Sequence, residues 1–168
     1  SEETRRLEVL RQYGVMDTLP EAALDDLTTL AATICGAPMA LITLVDEHRQ
    51  WFKARVGVEA AETPREVSFC AQALRQSGLL IVPDALLDTR FSRNTLVTGE
   101  PGIRFYAGAP LVTPEGAVLG TLCVLDRVPR TLTVAQEEAL RVLSRQVMTH
   151  LMLRRQTRQP LRQPVGQR

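Results

Sequence analysis

The residues of this chain that are most able to do chemistry are three cysteines and two histidines. Cys35, Cys70 and Cys123 are odd in number, widely spaced and without a CxxC pattern, so the sequence predicts neither a disulfide framework nor a metal site. We expect these cysteines to be small buried side chains in a reducing, cytoplasmic environment. His48 and His150 lie in a predicted turn and a predicted helix, which leaves little acid–base machinery.

Motifs of the common enzyme classes are absent from the sequence. It contains no GxSxG nucleophile elbow, no Walker phosphate-binding loop, no HExxH zinc motif and no GxGxxG dinucleotide motif. The sequence therefore favours a binding or regulatory domain, and the domain itself is not predicted to be an enzyme.

The composition indicates one soluble globular domain. A length of 168 residues allows a substantial core, and 45% hydrophobic with 23% charged residues is ordinary for such a domain. The net charge of +1 gives no electrostatic reason to expect nucleic acid or an anionic membrane as partner. The apolar run from Met39 to Val45 is far too short to span a bilayer, so we expect no membrane insertion.

The elements that would position these residues follow from local patterns. Glycines end two N-terminal helices, at Gly14 and Gly36, and Thr18 is expected to open the second helix as a capping box. In the predicted strand from Gln50 to Val56, alternation places Phe52, Ala54 and Val56 on one face. The other predicted elements are a helix from about 3 to 13, strands at 39–45, 79–82, 105–112 and 118–125, a short helix from Ser68 to Gln76, a helical turn near 90–94, and a last helix that begins at a capping box, Thr133 to Gln136.

The last helix carries an apolar stripe that is wider than packing against one sheet requires. We therefore expect the first and last helices to form a homodimer with a second copy. The residues expected to form this interface are Leu7, Leu10, Leu140, Leu143, Val147 and Leu151. Pro160 and Pro164 should end the helix, so we expect a single domain at 1–156 and a disordered tail or linker at 157–168.

Five sequence pieces, taken in their order and spacing, resemble a bacterial GAF domain of the type found in sensor histidine kinases and diguanylate cyclases. They are 67–73 (VSFCAQA), 82–85 (VPDA), 88–94 (DTRFSRN), 101–111 (PGIRFYAGAPL) and 120–126 (GTLCVLD). The resemblance extends over about Leu7 to Leu153. It implies an α+β fold, with a central antiparallel β-sheet, N- and C-terminal helices on one face, and a layer of loops and short helices that forms a possible pocket on the other.

The resemblance implies a regulatory sensory or dimerisation module of a signal-transduction protein, such as a two-component histidine kinase or a diguanylate cyclase. The output domain would lie in the same chain, and the terminal helices would relay the state of the module to it. One alternative is a GAF-type free methionine sulfoxide reductase, which needs a thiolate nucleophile and a resolving thiol in one pocket. Another alternative is a ligand-free dimerisation scaffold.

Three cofactors known in relatives are not expected in this chain. Bilin attachment would use Cys70, but the Asp-Ile-Pro type motif and the Cys-His pair of bilin-binding relatives are missing. Neither His48 nor His150 lies beside the pocket segment, which argues against haem. Asn94 lacks the lysine and acidic partners of the cyclic-nucleotide signature, so neither cyclic GMP nor cyclic AMP is expected.

A small molecule of unknown identity is expected to bind between the sheet and the long segment from Asp84 to Arg104. A connection of this length in a small domain is usually a binding loop or a lid. It contains arginines that either pair with a phosphate or hold the loop through its own carboxylates, and the second role is favoured. The residues expected nearest to the ligand are Phe69, Cys70, Phe91, Arg104, Tyr106, Thr121 and Cys123.

Overall fold

The computed structural model of the chain describes residues 1–76 and 78–166, and side chains as far as residue 156. These residues form five helices and six strands, with one short 3-10 turn at Arg65–Val67. In chain order they are α1 (Glu2–Tyr13), α2 (Ala22–Cys35), β1 (Met39–Val45), β2 (Arg49–Val56), β3 (Glu62–Pro64), α3 (Cys70–Ala73), β4 (Leu80–Val82), α4 (Thr95–Thr98), β5 (Phe105–Val112), β6 (Val118–Asp126) and α5 (Val134–Gly166).

The strands form one sheet in the order β3-β2-β1-β6-β5-β4, and every neighbouring pair is antiparallel. β1 lies between β2 and β6, and all seven of its residues are buried, because its alternating side chains enter two different layers. Ala40, Ile42 and Leu44 pack under the long helices, whereas Met39 and Leu41 face the loop layer. The predicted α+β fold, with helices on one face and loops on the other, is confirmed.

The helical layer consists of α1, α2 and α5, and its apolar side chains pack on the sheet. The residues expected at a dimer interface belong to this layer: Leu10, Leu140, Leu143, Val147 and Leu151 are 0–7% exposed in the core, and Leu7 is half-buried. Placing the five buried residues at a dimer interface was wrong, because the sheet and the neighbouring helices already cover their side chains, whereas Leu7 as an interface residue stays a prediction. A second copy would have to contact other residues of α5, such as the exposed Val142 and Leu153. Dimer formation itself stays a prediction.

A β-bulge changes the faces of β2. Ile42 pairs with Ala54 and Thr43 with Phe52, so Lys53 is an extra residue without a partner on β1. As a result Phe52 faces the loop layer and Ala54 the helices, although strict alternation predicted one face for both. The bulge also directs the Lys53 side chain, which is 0% exposed, toward the start of α2.

The helix ends agree with the sequence at three of four expected caps. Gly14 and Gly36 both adopt the left-handed conformation and end α1 and α2. Thr133 and Gln136 form the predicted capping box, each side chain bonding to the other residue's backbone N–H at 2.9–3.1 Å. Thr18 does not cap α2, because its hydroxyl donates to the Val15 carbonyl instead.

Two further elements differ from the sequence-based expectations. The predicted helical turn near 90–94 is present as a hydrogen-bonded turn, and it is followed by a helix that the sequence did not predict, α4, which Asn94 caps through the backbone N–H of Leu96. α5 continues past Pro160 and Pro164 to Gly166, and the expectation that the helix would end there was wrong. Proline removes one N–H donor, but the flanking turns of a long helix keep their own hydrogen bonds. The division into a domain at 1–156 and a linker stays a prediction, and residues 167–168 lie outside the described residues.

Among the described residues, none of the helices combines the length and the apolar character needed to cross a membrane.

Candidate functional site

A cavity of about 550 Å³ lies between the sheet and the loop layer, on the face opposite the long helices. Strands β1, β2, β5 and β6 form its base, and the segments at 57–63 and 96–103 form its rim. Its walls are mainly apolar, which is typical of sites for small organic molecules. The apolar lining side chains are Met39, Leu41, Phe52, Val58, Phe69, Leu96, Ile103 and Leu125.

Charged residues contribute to this cavity only at its exposed rim. These are Glu59, Glu100 and Arg127, and Arg127 already donates its Nε hydrogen to the Pro101 carbonyl at 3.1 Å. Gln50, a deeper polar residue, is held by Ser68 at 2.7 Å and by Thr63 at 3.0 Å. The lining therefore favours an uncharged, largely apolar ligand over a phosphate-bearing one.

Cys70 forms part of the cavity floor, where it begins the short helix α3. Ser68 holds this turn in place because its hydroxyl accepts the Ala71 N–H at 3.2 Å and donates to Gln50. The Cys70 sulfur lies 3.1 Å from the Tyr106 hydroxyl and 3.0 Å from the Thr121 hydroxyl. Both hydroxyls can donate to the sulfur. Cys70 as a whole is 2% exposed, so these contacts are buried.

The Thr121 hydroxyl is itself oriented by Thr43, its register partner on the neighbouring strand. The Thr43 hydroxyl accepts the Thr121 backbone N–H at 3.1 Å, and the two hydroxyl oxygens are 3.1 Å apart. Thr43 can thus donate to Thr121, which in turn can donate to Cys70. The result is a buried hydrogen-bond chain that ends on the sulfur.

Burial raises the pKa of the Cys70 thiol, but hydrogen bonds from neighbouring thiol and hydroxyl groups outweigh burial and lower it to about 7. The groups responsible, in order of effect, are Cys123, Thr121, Thr43 and Tyr106. The pKa of Cys123 is raised well above its ordinary value, first by burial and then by Cys70. Cys70 is therefore the thiol of this pair that ionises first.

The structure brings together most of the residues expected near a ligand. Phe69, Cys70, Tyr106 and Cys123 line the cavity, and Thr121 lies next to Cys70. Phe91 does not line the cavity: it is buried behind Phe69, and the two rings stack with centroids 4.3 Å apart and planes 6° from parallel.

Arg104 does not line the cavity, because its guanidinium donates to the carbonyls of Val97 and Ile103 at 2.8 and 3.1 Å. It holds the loop, as does Arg90, whose guanidinium lies 2.7 Å from the Asp88 carboxylate. Arg90 thus pairs with a carboxylate of the loop, as the sequence favoured, whereas Arg104 supports the loop through backbone carbonyls instead.

Sequence reasoning missed the contribution of the first two strands. Leu41 and Phe52 line the cavity, and Thr43 supports its floor. The alternation of β1 signals that Leu41 and Thr43 share a face, but it does not tell which layer covers that face.

A second, larger depression of about 820 Å³ lies between the end of α1 and the β1–β2 turn. Its principal cation, Arg49, is already paired with Asp17, Asp46 and Glu62 at 2.6–3.2 Å. Because these pairs occupy Arg49, and because the smaller cavity has the more apolar and more buried lining, the smaller cavity is the better candidate site. Among the described residues, no cluster of three or more His, Cys, Asp or Glu side chains has the arrangement of a metal site.

The fold and the cavity define an α+β domain in which one sheet separates a helical layer from a loop layer. A family model described as the GAF domain matches residues 19–151, and the chain belongs to the GAF family. The chain is 45% identical, over 129 residues, to a cyclic di-GMP phosphodiesterase of Pseudomonas aeruginosa. That match covers 77% of this chain and only 22% of the relative, so the chain corresponds to a minor part of that protein.

Solved structures of GAF domains share the fold at low sequence identity. The GAF domain of an Acinetobacter phosphoenolpyruvate-protein phosphotransferase superposes with a TM-score of 0.66 at 18% identity, over 90% of each chain. A free methionine-R-sulfoxide reductase from Neisseria meningitidis, in complex with its substrate, gives a TM-score of 0.66 at 17% identity, over 94% of each chain. At these identities the comparisons support the fold alone.

Proposed function

We propose that this domain is a regulatory sensor that binds a small, uncharged, largely apolar molecule in the cavity and relays its presence through the long helices. The observation that carries the proposal is the cavity of about 550 Å³, with its apolar walls and its buried, hydrogen-bonded floor. A site of this size is typical for drug-sized ligands. The sheet separates the cavity from α1 and α5, so a change in the sheet reaches both helices.

One chain of contacts supports a route for this relay. Phe52 lines the cavity, and the next residue, Lys53, contacts the Glu21 carboxylate at 2.8 Å behind the sheet. Glu21 in turn contacts Arg154 of α5 at 2.9 Å and His150 at 3.1 Å. A ligand that displaces Phe52 would therefore shift the group that anchors α5.

The output that this domain controls is proposed from its most informative relative. Because a cyclic di-GMP phosphodiesterase contains a segment 45% identical to this chain, we infer that the domain regulates cyclic di-GMP turnover in a longer protein. The sequence suggested a histidine kinase or a diguanylate cyclase as the output domain, and this inference favours an output domain that acts on cyclic di-GMP. We also propose that the domain acts in the cytoplasm as a homodimer and holds no bilin, haem or cyclic nucleotide.

Binding to the cavity is tested with Nile red, a neutral apolar dye whose fluorescence rises in apolar sites. Leu125 lines the cavity, so Leu125→Trp should fill it and weaken dye binding by roughly tenfold or more. Leu87→Trp, at a residue that is 82% exposed, is the matched control and should bind like wild type. Equal dye binding by all three proteins would refute the cavity as the site and favour a ligand-free scaffold.

The relay is tested separately by hydrogen exchange. Saturating dye should change amide exchange in α5 of the wild type and leave α5 unchanged in Leu125→Trp. Dye binding without any change in the amide exchange of α5 would refute the relay but not the assignment of the cavity as the binding site.

A second candidate function is free methionine sulfoxide reduction, which the meeting of Cys70 and Cys123 at the cavity floor favours. It predicts that the protein releases methionine from free methionine-R-sulfoxide with dithiothreitol as reductant, and that Cys70→Ser does not. If the wild type and Cys70→Ser release methionine at the same rate, this function is refuted.

A further inference from the structure

Two of the three cysteines of this chain differ from an ordinary buried cysteine in their surroundings. Cys70 and Cys123 both line the floor of the cavity, and Cys123 is the neighbour that most lowers the pKa of the Cys70 thiol. They lie on separate elements, α3 and β6, which pack directly on each other. Both residues are only 0–2% exposed, but each borders the cavity, so a small solute inside it lies next to them.

Cys35 provides the internal contrast. It is equally buried, at 2% exposure, but it is the last residue of α2 in the helical layer and lines neither of the two cavities described above. Burial raises the pKa of Cys35, partly offset by the charge of Arg130. An oxidant would therefore have little access to a reactive form of Cys35.

We propose that Cys70 and Cys123 form a peroxide-reactive dithiol, in which a small hydroperoxide entering the cavity oxidises Cys70 and Cys123 then closes a disulfide. The geometry of the floor carries this inference. The hydroxyls of Tyr106 and Thr121 lie 3.1 and 3.0 Å from the Cys70 sulfur, where they stabilise its negative charge.

The chemistry proceeds in two balanced steps. The Cys70 thiolate attacks one oxygen of hydrogen peroxide, the O–O bond breaks, and hydroxide leaves and takes up the proton that the thiol had lost, which gives water and a sulfenic acid. The Cys123 sulfur then attacks the Cys70 sulfur, the S–O bond breaks, and the departing hydroxide takes the Cys123 proton as a second water. Two thiols have lost two electrons, and one peroxide has been reduced to two waters.

The disulfide would alter the cavity that contains it. A sulfur bonded to Cys123 carries no negative charge, so the Cys70 sulfur no longer holds the hydroxyls of Tyr106 and Thr121 as strong donors. The Tyr106 hydroxyl, which borders the cavity, would then be available as a donor to a molecule in the cavity. This chemistry is independent of whether the cavity also binds a regulatory ligand.

The tryptic map of the chain makes the experiment direct. Cleavage after arginine places each cysteine in its own peptide: Cys35 in 12–49, Cys70 in 66–75 and Cys123 in 105–127. The protein is treated with stoichiometric hydrogen peroxide, unfolded, alkylated with N-ethylmaleimide, digested without reductant and analysed by mass spectrometry. We expect a disulfide between peptides 66–75 and 105–127, with the 12–49 peptide alkylated as in the untreated sample.

Single variants separate the two steps. In Cys123→Ser the sulfenic acid of Cys70 should persist and react with dimedone, whereas Cys70→Ser should show neither the disulfide nor a dimedone adduct. If a variant does not fold, the peptide map of the wild-type protein still tests the proposal. Alkylation of all three cysteines after treatment, a disulfide that involves Cys35, or a 66–75 to 105–127 bond that runs between two copies on a non-reducing gel would overturn the proposal.

Discussion

The Tyr106 hydroxyl lies directly against the α-carbon of Gly108, two residues farther along the same strand, where a methyl group would collide with the phenol ring. Both residues are on the cavity side of β5, and Tyr106 is fully buried. Because Gly108 has no side chain, the tyrosine ring can lie along the strand and reach the Cys70 sulfur at 3.1 Å. A glycine on β5 thus determines the geometry around a cysteine on α3.

Gly108→Ala is therefore expected to destabilise the protein by about 1–3 kcal/mol, the usual range for overpacking a buried site. The substitution should also displace the hydroxyl from Cys70. The measurement is urea unfolding followed by circular dichroism. Combining Gly108→Ala with Tyr106→Phe removes the hydroxyl that collides first and should recover part of the loss.

Gly78→Ala is the matched control, because an added methyl at Gly78 meets nothing within 4 Å. It should leave the free energy of unfolding within about 0.5 kcal/mol of wild type, as surface substitutions usually do. Equal stability of Gly108→Ala and Gly78→Ala would contradict the close approach.

Lys53 and Glu21 form the contact that joins the bulge in β2 to the helical layer. The Lys53 side chain is 0% exposed and its ammonium contacts Thr18, the Leu19 carbonyl and Glu21 at 2.5–2.8 Å. Glu21 is 29% exposed and keeps Arg154 and His150 as further partners. Removing the carboxylate therefore leaves a buried charge without its counter-ion, whereas removing the lysine leaves a carboxylate that is still paired.

Glu21→Gln should lower the free energy of unfolding by about 2–3 kcal/mol. This is somewhat less than the cost of breaking a fully buried ion pair, because the Glu21 carboxylate is partly exposed. Lys53→Met, which removes the buried charge at similar volume, should cost about 1 kcal/mol or less. The double variant should be more stable than Glu21→Gln alone in urea unfolding. A double variant as unstable as the sum of the two single changes would show that the contact carries no coupling energy.

Local patterns in the sequence were sufficient to predict five of the six strands of the described sheet, the two N-terminal helices and the capping box at Thr133, but not the short edge strand β3. The bulge at Lys53 was missed because an extra residue in a strand leaves no periodic signal, and its effect depends on the strand opposite. The arrangement around Cys70 was predicted only in part. Tyr106, Thr121 and Cys123 were named, but Thr43 was not: it lies 78 residues before its partner Thr121, and alternation gives its face and not its neighbours.

Glu3 connects α1 to the 3-10 turn after β3 and makes stability depend on pH. The hydrogen bond from Arg6 has the largest effect; with help from Arg65 it outweighs burial and lowers the pKa of Glu3 from 4.5 to about 2. Because the carboxylate form is favoured in the folded state, its contribution is fully present above pH 4.5 and disappears as the pH falls toward 2.

Wild type should exceed Glu3→Gln in stability by no more than about 1 kcal/mol at pH 7, since the Glu3 side chain is 43% exposed and solvent screens its ion pairs. The difference should shrink between pH 4.5 and pH 2. Urea unfolding at several pH values measures it, and Glu8→Gln, on the exposed side of the same helix, is the control. A difference that grows as the pH falls would contradict the assignment.

Cys70 should ionise earlier than the other two cysteines, because hydrogen bonds at the cavity floor lower its pKa to about 7 from an ordinary 9.0. The ultraviolet absorbance of thiolates, followed from pH 5 to pH 9, should show one thiolate that forms around pH 7. Burial raises the pKa of Tyr106 well above 10.0, so this phenol does not add to the signal. The thiolate stabilises the fold above pH 9 and loses that contribution as the pH falls through 7.

Three variants assign the signal to its sulfur. Cys70→Ser should remove the early thiolate, and Cys35→Ser should leave it unchanged. Thr121→Val, which removes one hydroxyl donor at 3.0 Å at nearly constant volume, should move the transition to higher pH. An early thiolate that survives in Cys70→Ser would assign it to another cysteine, and a midpoint unchanged in Thr121→Val would show that the Thr121 hydroxyl does not hold the charge on Cys70.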